Sequence, residues 1–189
     1  VGPLADDDSS DGVLDREGRR NAEGIEAVQV AARGQDLGRA QQVAARRGAD
    51  ISTIQRMQQA QRRAVQEIWD RRMPDLPIRS VEQFVTLASI IEKETGVASE
   101  RSKVSAVFIN RLRQKMKLES DPTTIYGLTL GKTPFNRELT RADLQSNTPY
   151  NTYVIEGLPP GPIANPGRAA LEAVANPAKT SDLYFVADG

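Results

Sequence analysis

The chain has 189 residues, with 25 Lys plus Arg against 25 Asp plus Glu. It therefore carries no formal net charge and no global basic footprint for nucleic acid. Histidine and cysteine are both absent, which excludes Ser-His-Asp and Cys-His nucleophile systems and the usual zinc ligands. No metal or cofactor is called for, and any acid–base work falls to Asp, Glu, Lys or Tyr. Carboxylate-driven glycoside chemistry is the largest class left open. No apolar run approaches the roughly 20 residues of a membrane span, and no signal peptide is visible.

Every aromatic residue lies at or after Trp69. Residues 1–49 are Ala, Arg, Gln, Gly and Asp with scattered aliphatics, a composition that does not bury enough apolar surface to offset chain entropy. This leader is expected to be disordered or weakly helical, with an Ala-rich helix near 22–47 interrupted by Gly34 and Gly38. Order is expected from Asp50, an N-cap for a helix whose stripe is Ile54, Met57, Ala64, Val65, Ile68 and Trp69. Pro74 and Pro77 end that helix. A second helix is predicted over Val81–Thr95. A third is predicted over Glu100–Lys117, with Val104, Val107, Phe108, Ile109, Leu112 and Met116 as its apolar face. Its Arg111, Arg113, Lys115 and Lys117 read as a solvated face.

Beyond Lys117 the composition turns to Pro, Gly, Asn and Thr. Short β-prone runs occur at Thr123–Tyr126 and Thr152–Ile155. Pro166-Gly opens a short helix, and the terminal "DLYFVADG" alternates as a strand, with Leu183, Phe185 and Ala187 set against Tyr184 and Val186. The expected fold is α+β, with N-terminal helices packed on a small sheet carrying long Pro/Gly-rich loops. Loops of that length usually line a site. Residues 50–189 form the expected folded unit.

The stretch "LASIIEKETG" (residues 87–96) holds the first candidate. On a wheel of about 100° per residue with Leu87 at zero, Glu92 falls at about 140°, inside the arc from Leu87 through Ala88 to Val85. Glu94 falls at about 340°, at the edge of that arc. Glu92 is thus the acid at risk of burial, and burial raises a carboxyl pKa toward what a general acid requires. An acid paired with Arg, or one escaping at the helix end, is the plain alternative. "SDPTTIYG" (120–127) offers Asp121, Thr123 and Tyr126 as a sugar-contacting wall, or equally an Asx-type turn with a packed tyrosine. "TPYNTY" (148–153) adds tyrosine faces for stacking and Asn151, whose amide pairs an acetamido group through both donor and acceptor. Tyr150 or Tyr126 is the expected stacking wall. "GLPPGPIANPG" (157–167) is stiff support.

Taken together and in order, "LASIIEKETGVASERSKVSAVFINRLRQKMKLESDPTTIYG", "TPYNTYVIEGLPPGPIANPG" and "NPAKTSDLYFVADG" resemble the endolytic murein transglycosylases of the YceG-like family, over about Asp50 to Gly189. The resemblance implies cleavage of the β-1,4 bond between N-acetylmuramic acid and N-acetylglucosamine, leaving 1,6-anhydro ends. It implies one glutamate acting as acid and then base, and the first acid of "EKE", Glu92, in that role. It also implies peptidoglycan strands as substrate and an inner-membrane anchor. The catalytic domain would then face the extracytoplasmic (periplasmic) side, beside the cell-wall synthesis machinery. The anchor, a small LysM-like domain and a Gly-Gly-His-like continuation are not recognisable, so a catalytic-domain fragment with an atypical leader is expected. Two other functions stay open: a two-carboxylate hydrolase using Glu92 with Asp121 or Glu94, and a glycan-binding or scaffold module without turnover.

Overall fold

The computed structural model describes residues 51–186, and the expected leader helix near 22–47 lies outside these described residues. Among them run six helices: α1 (Ile51–Asp70), α2 (Val81–Glu94), α3 (Arg101–Arg113), α4 (Asp121–Thr129), α5 (Arg141–Leu144) and α6 (Arg168–Ala175).

α2 is the centre of the packing. Ser80 caps it, accepting from the Gln83 amide at 3.3 Å, which satisfies one of the free donors of the first turn. Phe84, Leu87, Ala88, Ile90 and Ile91 are fully buried. They meet Val65 and Ile68 of α1, Val104, Phe108 and Ile109 of α3, and Ala170, Leu171 and Val174 of α6 in one core. Trp69 tilts against Phe84 with ring centroids 5.5 Å apart. Each fully buried large aliphatic or Phe contributes about 1.5–3 kcal/mol relative to exposure, so this cluster dominates stability. Burial also extends to the side of α2 that its wheel gives to solvent. Ser89 is fully buried, donating to the Thr86 carbonyl at 2.7 Å and accepting from the Ile163 amide at 2.9 Å. The stiff 157–167 loop is thereby tied across α2. Met57, placed on the α1 stripe by periodicity, is exposed.

The expected small sheet is not found: no strand occurs among the described residues. The α+β expectation is corrected to a helical fold, for three local reasons. The Thr123–Tyr126 run is helix, because extended Ser120 precedes Asp121 in the first turn and Pro122 sits where a helix tolerates it. Thr123 then turns its hydroxyl back onto the Ser120 carbonyl at 2.6 Å rather than packing on a pleat. The Thr152–Ile155 run is a turn, with the Asn151 carbonyl accepting from both the Val154 and Ile155 amides at 3.0 Å. The terminal segment, residues 180–186, joins no ladder. Its Thr180 and Asp182 carbonyls accept from Asn110 Nδ2 at 2.8 and 3.0 Å, and the Leu183 carbonyl accepts from Arg111 Nε at 2.7 Å. Side chains of α3 thus take the place of a neighbouring strand.

Arg111 also departs from the solvated-face reading. It is buried, and its Nη1 donates to the Lys117 and Leu118 carbonyls at 3.2 and 3.0 Å and to Glu119 Oε2 at 3.2 Å. A guanidinium is buried where several carbonyls converge on its fixed fork of donors.

Candidate active site at the end of helix α2

The last turn of α2 opens into a cleft of about 210 Å³, walled by α3, the start of α4, the 150s turn and the terminal segment. Its polar walls are Glu94, Arg111, Glu119, Asp121 and Tyr153. Glu94 is half-buried, and its Oε2 accepts from the Ser120 hydroxyl at 2.9 Å. Burial, reinforced by the nearby Asp121 carboxylate, pushes the Glu94 carboxyl above the usual carboxylate range, and the Ser120 hydrogen bond only partly offsets this. Asp121, at the first turn of α4, accepts from the Tyr153 hydroxyl at 2.7 Å. Burial and then that bond hold the Tyr153 phenol well above its ordinary value, so it stays a proton donor in the hydrogen bond. Glu119 adopts a left-handed backbone at φ 52°, which sets its side chain at the rim against Arg111.

The seat of this site is a knot of buried hydroxyls and one amide. Ser120, Thr123, Thr124, Asn151 and Thr152 are all fully buried. The Ser120 amide donates to Thr152 Oγ1 at 3.0 Å, and the Thr123 and Thr152 hydroxyls pair at 2.8 Å. These bonds fix Ser120 and Asp121 against the 150s turn, hence against Glu94.

The residues singled out by sequence fall in different places. Glu92 is half-buried and its Oε2 accepts from the Gly167 amide at 3.1 Å, at the N-cap of α6. It clips α2 to a helix N-terminus, where negative charge is favoured, and it does not line the Glu94 cleft. Asn151 spends its amide internally. Its Oδ1 accepts from Thr124 Oγ1 at 2.9 Å and the Tyr153 amide at 3.1 Å, and its Nδ2 donates to the Leu144 and Ser146 carbonyls at 3.0 and 2.8 Å. Thr123 is in the knot. Tyr150 is buried with its ring edge-to-face on half-buried Tyr126, centroids 4.7 Å apart. Of the sequence candidates, Asp121 lines the cleft, as does Glu94, which the sequence offered only as a second carboxylate for a hydrolase. Arg111, Glu119 and Tyr153 complete its polar wall, and buried Ser120 supports Glu94 from behind. Their signals were present in "EKE", in the "SDP" helix start and in the second tyrosine of "TPYNTY".

No cluster of three or more metal-ligating side chains occurs among the described residues. The YceG-like family model matches residues 43–189. The chain is similar to the endolytic murein transglycosylase of Bacillus subtilis (strain 168), with 46% identity over 108 residues, covering 57% of this chain and 29% of that protein. Its similarity to the endolytic murein transglycosylase of Streptococcus pneumoniae (strain D39) is 37% over 110 residues, covering 58% of this chain and 20% of that one. A crystal structure of a YceG-like protein from Listeria monocytogenes superposes with a TM-score of 0.58 at 36% identity, covering 72% of this chain and 43% of that one. The chain thus spans less than a third of the length of the curated relatives it matches.

Proposed function

The chain belongs to the YceG-like family, and from that premise we propose that it is the catalytic part of an endolytic peptidoglycan transglycosylase, a lyase with Glu94 as its single acid and base. The observation that carries this is a half-buried carboxyl, held by burial above the usual carboxylate range, facing a polar cleft beside a second carboxylate. Glu94 donates its proton to the glycosidic oxygen as the C1–O bond of the muramyl residue breaks. Positive charge developing at C1 is balanced by the neighbouring Asp121, held in orientation by Tyr153. The Glu94 carboxylate then takes the proton of the same sugar's C6 hydroxyl while O6 bonds to C1. An anhydro end forms, Glu94 is protonated again, and no water is consumed. Glu92 is assigned the clip between α2 and α6 rather than the chemistry. A substrate of this kind lies outside the cytoplasmic membrane, so the work is placed on that face, beside wall synthesis. No helix among the described residues is long and apolar enough to cross a membrane.

The test compares Glu94→Gln with Glu92→Gln on purified glycan strands, with products read by mass spectrometry. Glu94→Gln is expected to lower turnover by roughly a hundred- to ten-thousandfold, the usual range for a lost general acid. Glu92→Gln, whose amide oxygen still accepts from Gly167, is expected to stay within about tenfold of the parent. The reverse ranking returns the chemistry to Glu92. Because Glu94 and Asp121 share one cleft, a two-carboxylate hydrolase is the second reading. Reducing ends in place of anhydro ends would establish it.

A further inference from the structure

We propose that Tyr184 is a sugar-stacking platform, its ring seated on the Arg111 guanidinium at the Glu94 cleft and its open face taking a pyranose ring of the glycan. This inference rests on the glycan-cleaving reading of the same cleft.

Tyr184 lines the cleft, yet its residue surface is 70% exposed. A single exposed aromatic is ordinary; this one is held in place. The Arg111 Cζ lies 4.9 Å from the ring centroid, and Arg111 Nε also binds the Leu183 carbonyl immediately before it. On the other side Phe185, still 38% exposed, meets Phe108 edge-on, with centroids 5.7 Å apart. Both neighbours of Tyr184 are therefore anchored while its own ring stays in water. A large, rigid, amphipathic face costs little ordering entropy when a ligand lies on it. Its negative π-face suits the polarised C–H bonds of a pyranose, as it suits the positive edge of another ring. Glu119 and Asp121 stand at the rim of the same cleft and supply acceptors for sugar hydroxyls. An aromatic floor with an acceptor rim recognises a neutral polyhydroxylated ring. The two tyrosines of the expected stacking wall, Tyr126 and Tyr150, are instead turned toward each other.

The experiment measures binding of purified, peptide-free glycan strands to the full chain carrying Glu94→Gln, by calorimetry. Adding Tyr184→Ala is expected to weaken binding about tenfold, and adding Tyr184→Phe to change it by less than about threefold, since the ring face remains. In the otherwise unmodified chain, Tyr184→Ala should raise KM more than it lowers kcat. Thermal melts of each Tyr184 variant should coincide with those of the chain it was made in, because the ring is not in the core. Unchanged binding in Tyr184→Ala overturns the platform, as does a Tyr184→Phe variant as weak as Tyr184→Ala, which would move the contact to the hydroxyl. Either result beside normal glycan cleavage by the parent leaves the proposed function standing. Neither cleavage nor binding by the parent removes both.

Discussion

Gly127 sits inside α4, where glycine is normally a cost, and its neighbours explain why it is there. A Cβ added at this position would lie 2.2 Å from Thr148 Oγ1, 3.2 Å from Thr148 Cβ and 3.5 Å from Tyr150 Cβ. Thr148 has little freedom to retreat, since its amide donates to the Ser146 carbonyl at 3.0 Å and its carbonyl accepts from the Asn151 amide at 3.2 Å. Gly127→Ala gains about 1 kcal/mol of helix propensity and loses about 3 kcal/mol to overpacking at so short a contact. The expected net destabilisation is about 2 kcal/mol, a drop of roughly 4–8 °C in Tm for a chain of this size. The Thr148 hydroxyl oxygen is buried without a hydrogen-bond partner, so Thr148→Ala gives up little and removes the closest clash. In that background Gly127→Ala should cost less than about 0.5 kcal/mol, a coupling of roughly 1.5–2 kcal/mol between the two sites. Urea unfolding followed by fluorescence of Trp69, the only tryptophan of the chain, measures all four corners of the cycle. If Gly127→Ala has the same effect in both backgrounds, the close approach of α4 to the 148–150 turn is not what selects glycine.

Two further outcomes are expected. Because Glu94 is held above its ordinary value of 4.5 in the folded chain, the folded state binds more protons than the unfolded one in the window above 4.5. Its contribution to stability is therefore full below that value and is lost as pH rises through the raised folded value. Glu94→Gln should remove this slope, so the stability of the parent relative to the variant falls between pH 4 and pH 8 in denaturant titrations; a relative rise would contradict a raised carboxyl. Asn151→Ala leaves Thr124 Oγ1, the Tyr153 amide and two carbonyls short of their buried partner. It is expected to destabilise the fold by about 3 kcal/mol, with loss of folded protein accounting for lost activity, whereas normal stability with impaired turnover would restore Asn151 as a substrate contact.

The helices of the first half were legible because their periodicity is carried by large aliphatics that do reach one core, as Val65 and Ile68, Phe84 to Ile91, and Val104 to Ile109 do. The sheet was misread because Thr and Ile in "PTTIY" have β propensity only as fitters of a half-buried pleat. At Ser120-Asp121-Pro122 the helix-start chemistry overrides that preference. In the "EKE" stretch the wheel selects Glu92 as the acid at risk of burial, whereas the acid that lines a cleft is Glu94. A wheel assumes one apolar side facing one core, while α2 is covered on nearly every side, including at Ser89 and Thr86. In such a helix the acid that faces a cleft is the one whose neighbours leave a gap. That gap is set by loop packing around Ser120 and Tyr153, which no local periodicity encodes.

The buried knot of Ser120, Thr123, Thr124, Asn151 and Thr152 gives the site wall a different thermal character from the rest of the molecule. Apolar contacts of the kind that bind α1, α2, α3 and α6 weaken on cooling, and their exposure raises heat capacity. Exposing polar surface lowers it. The wall that orients Asp121 and Ser120 toward Glu94 is held mainly by directed hydrogen bonds, so chilling loosens the helical core before it loosens the cleft. Warmth acts on the cleft through the enthalpy of a few named bonds. Low temperature thus spares the geometry around the Glu94 carboxyl even as the scaffold that carries it draws nearer to its own cold limit.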